Sequence, residues 1–482
     1  MYQKAHLGFF MRYGERPGAV TDSYDVIIVG GGPAGIFAAL ELSQADDLSV
    51  LLVEKGKDIS ERQCPVRDTG SSCIECLPCN LVCGLGGAGA FSDGKLVLSS
   101  QVGGHLSDYL SEDGVQGLIK YVDDIYLKFG ASEKLYGADN VDEISRRADE
   151  AGLRLIPTPV RHMGTENCYS VLKAMQDYLV PQLDFKLDAM VSEVLVDGGE
   201  VRGVVTDDGD RFDCRYLILA PGREGADWLS READRLKLTM HNNPIDVGVR
   251  VEVPVDVMEE LTSVLYEVKL EYMSKSFNDR IRTFCMCPAG EVIMESTGGT
   301  DPVVTVNGHS YAGRRSANTN FALLVSTDFT RPFHEPIAYG KYLAKLANLL
   351  GGGVLVQRLG DLLEGRRSTP KRIEQGAVEP TLKSAAPGDL SFALPYRHLT
   401  GLVEMIQAMD RLTPGVASPD TLLYGIEVKF FSCRPQLTAC LETEIRNMFA
   451  IGDGTGISRG LVQASASGLV AAVEILKRTG QG

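Results

Sequence analysis

The chain begins with short apolar runs separated by a helical stretch. Tyr24–Val29 and Leu48–Val53 are apolar and rich in β-branched residues, a pattern that predicts buried strands. Ile36–Leu42, which lies between them, is typical of a helix. This first part of the chain therefore predicts a strand–helix–strand unit.

Two amphipathic helices and a pair of strands are predicted next. Val115–Phe129 and Asn167–Leu179 carry apolar residues at helical spacing. Phe185–Leu195 and Val201–Asp207 are typical of strands, and the turn residues Asp197–Gly199 between them predict a hairpin.

From about residue 240 to residue 430 the pattern changes. Loops rich in proline and glycine separate strand-like runs at Ile245–Val253, Val264–Leu270, Arg282–Cys287 and Glu291–Glu295. This part of the chain predicts an inserted domain with a mixed sheet.

A glycine-rich motif joins the first strand to the first helix. The glycines have the spacing G-x-G-x-x-G, and the second strand ends at an acidic residue. Such glycines allow a pyrophosphate to approach a helix N-terminus closely, and the acid binds ribose hydroxyls. The context predicts a dinucleotide site, with the candidate residues Gly30, Gly32, Pro33, Ala34, Gly35, Glu54 and Lys55.

A second motif near the C-terminus indicates which dinucleotide binds. Met448–Ile451 is an apolar strand that runs into Gly452, Asp453 and Gly456, and a helix of small residues follows. Together with the strand that ends at Gly222, this set resembles the two-dinucleotide-binding flavoproteins. The resemblance implies FAD, with Asp453 at the ribityl chain or the diphosphate. A simple helix N-cap is the alternative role for Asp453.

A third glycine-rich run is followed by polar residues. In flavoproteins of this type the corresponding loop lies beside the isoalloxazine ring, and the resemblance implies that role for Gly86, Gly87, Ala88 and Gly89. Lys95 is a candidate to stabilise negative charge on reduced flavin, although a surface lysine is the alternative. Ser92 and, as a proton donor, His398 complete the candidate catalytic residues.

Composition narrows the functional classes. The 482 residues carry a formal net charge of −16, which argues against nucleic acid and anionic membranes as partners. No apolar run is long enough to span a bilayer, and residues 1–23 predict an N-terminal extension because they lack a signal-peptide cleavage site. Eleven cysteines without an export signal indicate reduced thiols and a cytoplasmic protein.

A cysteine array precedes the third glycine run. Cys73, Cys76, Cys79 and Cys83 have the spacing C-x2-C-x2-C-x3-C of bacterial ferredoxins, which favours a [4Fe–4S] cluster. Cys64, which precedes a proline, is an alternative fourth ligand. Structural zinc, a redox disulfide and unliganded thiols are the other interpretations. A cluster here would lie close enough to the flavin to exchange electrons with it.

Longer segments resemble a single family, a bacterial and archaeal family of FAD-dependent dehydrogenases within the glutathione-reductase-type flavoprotein superfamily. Geranylgeranyl reductases are more distant relatives. The segments are Gly86–Leu96, Arg282–Gly290, Ser316–Leu324, Gln357–Asp361 and Tyr424–Phe430. The family pattern includes a cysteine–proline pair like that at Cys64 and less often a cysteine like Cys83, which leaves the fourth ligand open. The resemblance implies the fold and FAD, but no substrate.

These features together predict an α/β fold. A Rossmann-type FAD-binding domain with three layers and a β-meander is predicted from residues 24–105, 161–238 and 431–482. A mixed-sheet α+β substrate domain is predicted from residues 239–430, and residues 106–160 are assigned to it as a cap segment.

The predicted function is that of an FAD-dependent dehydrogenase or reductase. Hydride would move at flavin N5 to or from a small organic substrate. Electrons would come from ferredoxin through the cluster or from NAD(P)H, and the lack of a second dinucleotide motif favours ferredoxin. The alternatives are a flavin-dependent monooxygenase and a non-catalytic redox-sensing FAD protein with structural zinc.

Overall fold

The computed structural model describes residues 23–65, 76–139, 141–296, 303–310, 314–327, 335–429 and 433–481. The helices are α1 (Pro33–Leu42), α2 (Glu112–Lys128), α3 (Val141–Glu150), α4 (Thr165–Leu179), α5 (Ala226–Leu236), α6 (Val255–Leu265), α7 (Pro336–Gly351), α8 (Leu359–Leu363), α9 (Pro370–Glu374), α10 (Tyr396–Leu412) and α11 (Leu461–Thr479). The strands are β1 (Ser23–Val29), β2 (Val50–Val53), β3 (Lys95–Val97), β4 (Leu135–Tyr136), β5 (Arg154–Leu155), β6 (Val160–His162), β7 (Asp184–Lys186), β8 (Val191–Asp197), β9 (Glu200–Thr206), β10 (Arg211–Leu219), β11 (Met240–His241), β12 (Ile245–Pro254), β13 (Leu270–Met273), β14 (Arg280–Cys287), β15 (Glu291–Ser296), β16 (Val304–His309), β17 (Asn318–Thr327), β18 (Leu355–Arg358), β19 (Ala386–Pro387), β20 (Leu422–Lys429), β21 (Arg434–Pro435) and β22 (Met448–Ala450).

The chain divides into two compact units. Unit 1 comprises Met1–Glu133, Arg161–His241 and Ser432–Gly482. Unit 2 comprises Lys134–Val160 and Asn242–Phe431. Among the described residues, no helix is long and apolar enough to cross a membrane.

Helix α2 belongs to unit 1, whereas the sequence prediction assigned it, within residues 106–160, to a cap segment of the substrate domain. The apolar face of this helix, with Val115, Ile119 and Val122, is buried in the core of unit 1. Residues up to Glu133 therefore belong to unit 1. Helical spacing in the sequence identifies this face, but not the core against which it packs.

The main sheet of unit 1 has the strand order β7-β2-β1-β10-β9-β8, and β22 also pairs with β10. Strands β1, β2, β7, β10 and β22 run parallel to their neighbours in this group. The beginning of β10, at Arg211–Asp213, instead pairs antiparallel with β9, and β9 pairs antiparallel with β8. Strand β10 thus joins a parallel sheet to a meander, and the predicted mixed α/β class is confirmed.

Both faces of this sheet are buried. Val26 and Ile28 of β1 belong to the core that contains residues of α1, α2, α4 and α11. Ile27 and Val29 belong to a second core, with residues of β8, β9 and α5. Successive side chains of a strand point to opposite faces, which is why β1 is apolar at every one of these positions.

Helices α1 and α11 approach each other closely through a glycine. A Cβ atom at Gly468 of α11 would lie 2.2 Å from the carbonyl oxygen of Ala34 in α1. A larger residue would separate the two helices. This contact fixes α11 against the helix that follows the G-x-G-x-x-G motif.

Two strand predictions are corrected by the structure. The predicted strand Phe185–Leu195 is divided into β7 and β8 at Asp188, whose φ of 49° lies in the left-handed region. The predicted strand Val264–Leu270 is wrong, because α6 extends to Leu265 and β13 begins at Leu270. Helix α6 buries Met258, Leu261 and Leu265, which have helical spacing.

Unit 2 contains an eight-stranded sheet of order β19-β18-β20-β12-β17-β14-β13-β5. Apolar and polar residues alternate along its central strand β12. Val247, Val249 and Val251 lie in the apolar core that includes residues of α3, α6, α7 and α10. The opposite face of β12 carries the polar residues Asp246, Arg250 and Glu252, which are also buried.

A buried ion pair lies on this polar face. Arg250 donates to both carboxylate oxygens of Glu427, at 2.8 and 3.1 Å, and neither side chain is exposed. The guanidinium also donates to the carbonyl oxygen of Cys285 and to the side-chain oxygen of Asn320. Lys429 contacts Glu427 at 2.8 Å. These contacts satisfy charges that would otherwise be costly to bury.

Candidate FAD site

The turn between β1 and α1 admits only glycine at its first position. Gly30 has a φ of 109°, and a Cβ atom there would lie 2.1 Å from the carbonyl oxygen of Ala220. Helix α1 then begins at Pro33, which needs no hydrogen-bond acceptor and is therefore well suited to a first turn.

The N-terminus of α1 is open to an anion. Its N-cap residue, Gly32, has no side chain that could cap the helix, and no acidic residue lies in the first turn. A helix N-terminus carries a partial positive charge and N–H groups without helical partners. A Cβ atom at Gly32 would lie no nearer than 3.8 Å to another group, the Cα atom of Gly87. This space and these donors fit the diphosphate of a dinucleotide.

Glu54 links three backbone segments at the end of β2. One carboxylate oxygen accepts the N–H of Gly31 at 2.8 Å. The other accepts the N–H groups of Gly56 and Gly84, at 2.9 and 2.8 Å. The side chain is buried. Glu54 therefore connects the G-x-G-x-x-G turn to the loop that carries the cysteine array, a role that its predicted contact with ribose did not include.

The third glycine run lies directly against the first. The N–H of Gly86 donates to the carbonyl oxygen of Gly31 at 2.8 Å. A Cβ atom at Gly87 would lie 2.9 Å from the Cα atom of Gly32, and one at Gly89 would lie 3.1 Å from the Pro33 ring. The structure thus brings the segment Gly86–Gly89, which includes Ala88, to the N-terminus of α1.

The C-terminal motif joins the same region of unit 1. A Cβ atom at Gly452 would lie 3.0 Å from that of Ala34. Gly454 packs so closely on Gly222 that a Cβ atom would lie 2.0 Å from the Gly222 carbonyl oxygen. Gly456, at the end of a short 3₁₀ helix, has a φ of 71°. Three glycine-rich segments that are far apart in the sequence therefore meet around α1.

Asp453 holds the segment that leads into α11. Its carboxylate accepts the hydroxyl of Ser458 at 2.8 Å and the N–H of Gly460 at 3.2 Å. Burial raises the pKa of Asp453, while the positive charges of Arg223 and Arg459 act in the opposite direction. The alternative role as a helix N-cap is not observed, because Gly460 occupies that position in α11.

Lys55, the last candidate from the first motif, forms an ion pair with Glu224. Both side chains are partly exposed, so the pair contributes little to stability.

Ser92 organises the end of the third glycine loop. Its hydroxyl donates to the carbonyl oxygen of Gly89 at 2.8 Å and accepts the N–H of Gly94 at 3.2 Å. The thiol of Cys168 donates to the same Gly89 oxygen at 2.9 Å. Burial raises the pKa of Cys168 to about 12, so this thiol stays protonated at neutral pH. Ser92 and Cys168 both fix the loop. The catalytic role of Ser92 remains a prediction.

Lys95 lies on β3 with its side chain only 7% exposed. Its ammonium group is 3.0 Å from a carboxylate oxygen of Asp93. The alternative of a freely exposed surface lysine is therefore wrong, while its predicted role toward reduced flavin remains a prediction.

His398 belongs to α10 of unit 2 and is buried. Its Nε2 atom is 3.0 Å from the Thr327 hydroxyl. Burial lowers its pKa to about 4, so the imidazole is neutral at physiological pH. A neutral imidazole is a poor general acid, which weakens the physical case for the predicted proton donor.

The described cysteines of the array lie around a turn. The N–H of Cys83 donates to the carbonyl oxygen of Cys79 at 2.8 Å. Cys83 is buried, whereas Cys64, Cys76 and Cys79 are half-buried. Within the part of the chain that the structure describes, no three His, Cys, Asp or Glu side chains are placed to hold a metal ion. Cys73 lies outside the described residues.

Arg62 supports this turn, and sequence patterns did not identify it. Its guanidinium donates to the carbonyl oxygens of Asn80 at 2.9 Å and Leu85 at 2.6 Å, and lies 4.8 Å from the centre of the Phe91 ring. Burial lowers its pKa to about 10, which leaves it charged at neutral pH. An isolated arginine in a polar loop carries no sequence signal for this role.

Gly103 and Gly104 are also part of this region, and the sequence prediction did not identify them. Gly104 pairs with Ser458, and a Cβ atom at Gly103 would lie 2.9 Å from the carbonyl oxygen of Arg459. They pack against the segment that Asp453 holds. The adjacent glycines are a recognisable signal of close backbone approach.

Two family models match the chain. Residues 244–430 match the family described as FAD-dependent protein, C-terminal domain-like, and residues 24–73 match Pyridine nucleotide-disulphide oxidoreductase. The chain is an FAD-dependent oxidoreductase. The predicted enzyme class and FAD as its cofactor are thereby confirmed. The second match includes both the Gly30–Gly35 turn and Glu54.

Several known proteins are similar to this oxidoreductase. An uncharacterized protein of Clostridium beijerinckii is 26% identical over 479 residues, which cover 94% of this chain and 80% of the relative. Pyridoxine 4-oxidase from Mesorbium loti is 14% identical, with a TM-score of 0.42 and coverage of 95% of this chain and 99% of the other. L-amino acid deaminase from Proteus vulgaris is 12% identical, with a TM-score of 0.38 and coverage of 96% of both chains.

Replacement of Glu54 by glutamine should destabilise the oxidoreductase and lower its FAD content. Glutamine has a similar shape, but its single carbonyl oxygen cannot accept all three N–H groups. Hydrogen bonds to a buried charge contribute on the order of 2 kcal/mol each, so we expect a clear fall in the free energy of unfolding. Urea unfolding and the flavin absorbance of the purified variant measure the two effects. Glu41→Gln, at a half-buried position on α1, is the control, and equal behaviour of the two variants would contradict the linking role.

His398 should make folding stability depend on pH. The pKa of His398 is about 4 in the folded protein and has its ordinary value of 6.5 in the unfolded chain. Between about pH 6.5 and pH 4 the unfolded chain therefore binds a proton that the folded chain does not. Stability is then lost as the pH falls, by on the order of 2 kcal/mol from this group between about pH 7 and pH 5. Urea unfolding at both pH values should show a smaller loss in His398→Asn than in the wild type. An unchanged loss would show that another group is responsible.

Proposed function

We propose that the protein is a dehydrogenase or reductase that uses FAD to exchange hydride with a small organic substrate. The observation that carries this proposal is the convergence of three glycine-rich segments at the open N-terminus of α1, next to the carboxylate of Glu54. Bound FAD would supply the capacity to accept or donate a hydride.

The residues of unit 1 have separable roles in this proposal. The N-terminus of α1 and the open side of Gly32 would accept the diphosphate. A carboxylate has about four lone-pair positions, and three N–H groups occupy Glu54, which leaves capacity for one ribose hydroxyl. Asp453 holds the beginning of α11, and Ser92 with Cys168 holds the loop Gly86–Gly89.

The finer parts of the predicted function stand as proposals. These are membership of the glutathione-reductase-type superfamily, a substrate that is reduced or desaturated, and ferredoxin or NAD(P)H as the electron donor. All three proposals require bound FAD, and the described loops of unit 1 support FAD binding. The described cysteines do not form a metal site as they are placed, so no electron-transfer step is assigned to them.

Gly32→Ala tests the proposed cofactor position. Gly32 has a φ of −77°, which alanine adopts freely, and the added Cβ atom would be 3.8 Å from the nearest neighbouring atom. We therefore expect a folded protein with unchanged thermal stability in the absence of FAD. The methyl group would occupy the proposed place of the diphosphate, so the flavin content should fall at least about tenfold, as for an affinity loss of about 1.4 kcal/mol or more.

Gly117→Ala is the matched control. Gly117 lies in α2, and no atom approaches its Cβ position within 4 Å. The substitution should stabilise the helix by up to about 1 kcal/mol and leave the flavin content unchanged. A Gly32→Ala protein that retains full FAD would contradict the proposed diphosphate position.

Metal analysis tests the cysteine array independently of FAD. The spacing predicts about four iron atoms and acid-labile sulfide per chain in protein purified without oxygen. Serine at Cys76 should remove the iron and leave FAD bound. Zinc without iron would contradict the cluster and favour a structural site, and a metal-free flavoprotein would indicate unliganded thiols.

A further inference from the structure

The polar face of the unit 2 sheet has a cluster of charges that do not balance. Arg250 and Lys429 contact Glu427, and Arg282 donates to a carboxylate oxygen of Asp246. The cluster therefore combines three cations with two carboxylates. Asp246, Arg250 and Glu427 are at most 1% exposed, whereas the side chains of Lys429 and Arg282 are 10% and 26% exposed and can be reached from solvent.

The next carboxylate on this face does not supply the missing charge. Glu252 accepts hydrogen bonds from the hydroxyl of Tyr424 at 2.5 Å and from Thr381. Burial raises its pKa and so favours its neutral form. Glu271, on β13 at the edge of the cluster, lies 3.6 Å from both Arg154 and Arg280.

Two of the cations lie on either side of Asp246. In the register of the sheet, Asp246 pairs with Lys429 on β20 and with Ser326 on β17. Ser326 donates to Asp246 at 2.7 Å, and the guanidinium of Arg282 reaches the same carboxylate from β14. Lys429 lies on the strand next to Asp246, and Arg282 extends to Asp246 across β17, so the two residues flank one carboxylate, where a single small group can reach both.

Both cations have donors without an acceptor in the described part of the chain. The buried Nε atom of Arg282 has no hydrogen-bond partner among the described residues. The Lys429 ammonium group has three N–H groups, and its ion pair with Glu427 uses one. A buried donor without an acceptor and a partly buried excess of positive charge both cost free energy, and a bound anion would lower both costs.

We propose that Arg282 and Lys429 bind a carboxylate group of the substrate. The geometry suits a carboxylate because the planar guanidinium and the ammonium can each donate to one of its two oxygens. Asp246, which accepts the Ser326 hydroxyl, positions the guanidinium, and Glu427 positions the ammonium. This assignment rests on the proposed function and adds a substrate class, organic acids, to it.

Calorimetric titration of the FAD-loaded protein with benzoate and with benzamide tests the assignment. The two probes have nearly the same shape and differ in charge. At constant ionic strength benzoate should bind and benzamide should not. Arg282→Gln and Lys429→Gln should each weaken benzoate binding about 10- to 100-fold, as expected for the loss of a charge-assisted hydrogen bond.

Arg146→Gln is the control variant, because Arg146 is an exposed arginine on α3 that pairs with Glu143 and Glu150. Its benzoate affinity should equal that of the wild type. Flavin absorbance and thermal unfolding, measured on every variant, separate a lost site from a lost fold, and Lys429→Gln serves if Arg282→Gln does not fold. Equal benzoate binding by wild type and both variants, equal binding of benzamide, or a wild type that holds FAD but binds no benzoate would overturn the carboxylate site. A wild type that holds no FAD would instead contradict the proposed function.

Discussion

The FAD-binding unit depends on one carboxylate. Glu54 accepts N–H groups from Gly31, Gly56 and Gly84 and so joins the nucleotide-binding turn to the loop that carries the cysteines. Because these segments contain many glycines, they have few side chains with which to hold one another. A buried charged acceptor compensates for this lack, since each N–H bond to it is stronger than a neutral one. The third glycine loop, Gly86–Gly89, can lie against α1 because the chain just before it is held in this way.

Unit 2 uses its charges differently. One face of its sheet is an ordinary apolar core, and the other carries buried ionic groups around Arg250 and Glu427. Such pairs seldom add stability compared with well-packed apolar residues. The carboxylate site proposed for Arg282 and Lys429 would explain their presence on this face by binding. The unused donors of Arg282 and Lys429 agree with this explanation.

The catalytic candidates show where prediction from local sequence reaches its limit. Ser92 was selected for its place after the glycines, and its hydroxyl is engaged by Gly89 and Gly94. His398 was selected among the histidines as a proton donor, and burial makes it a neutral group. Arg62, which supports the cysteine turn through backbone carbonyl groups, could not be predicted, because those acceptors belong to a loop whose path the sequence does not specify.

A resemblance to known flavoproteins implied FAD, and the sequence by itself determined the strand–helix–strand unit and the three glycine-rich segments. These features depend on local spacing: strands need alternating or continuous apolar residues, and a phosphate needs glycine before a helix. Only the tertiary structure decided that α2 belongs to unit 1, that Glu54 joins three loops, and that Arg282 and Lys429 lie on either side of Asp246. Each of these involves residues far apart in the chain, whose proximity is set by strand register and helix packing and not by any short pattern.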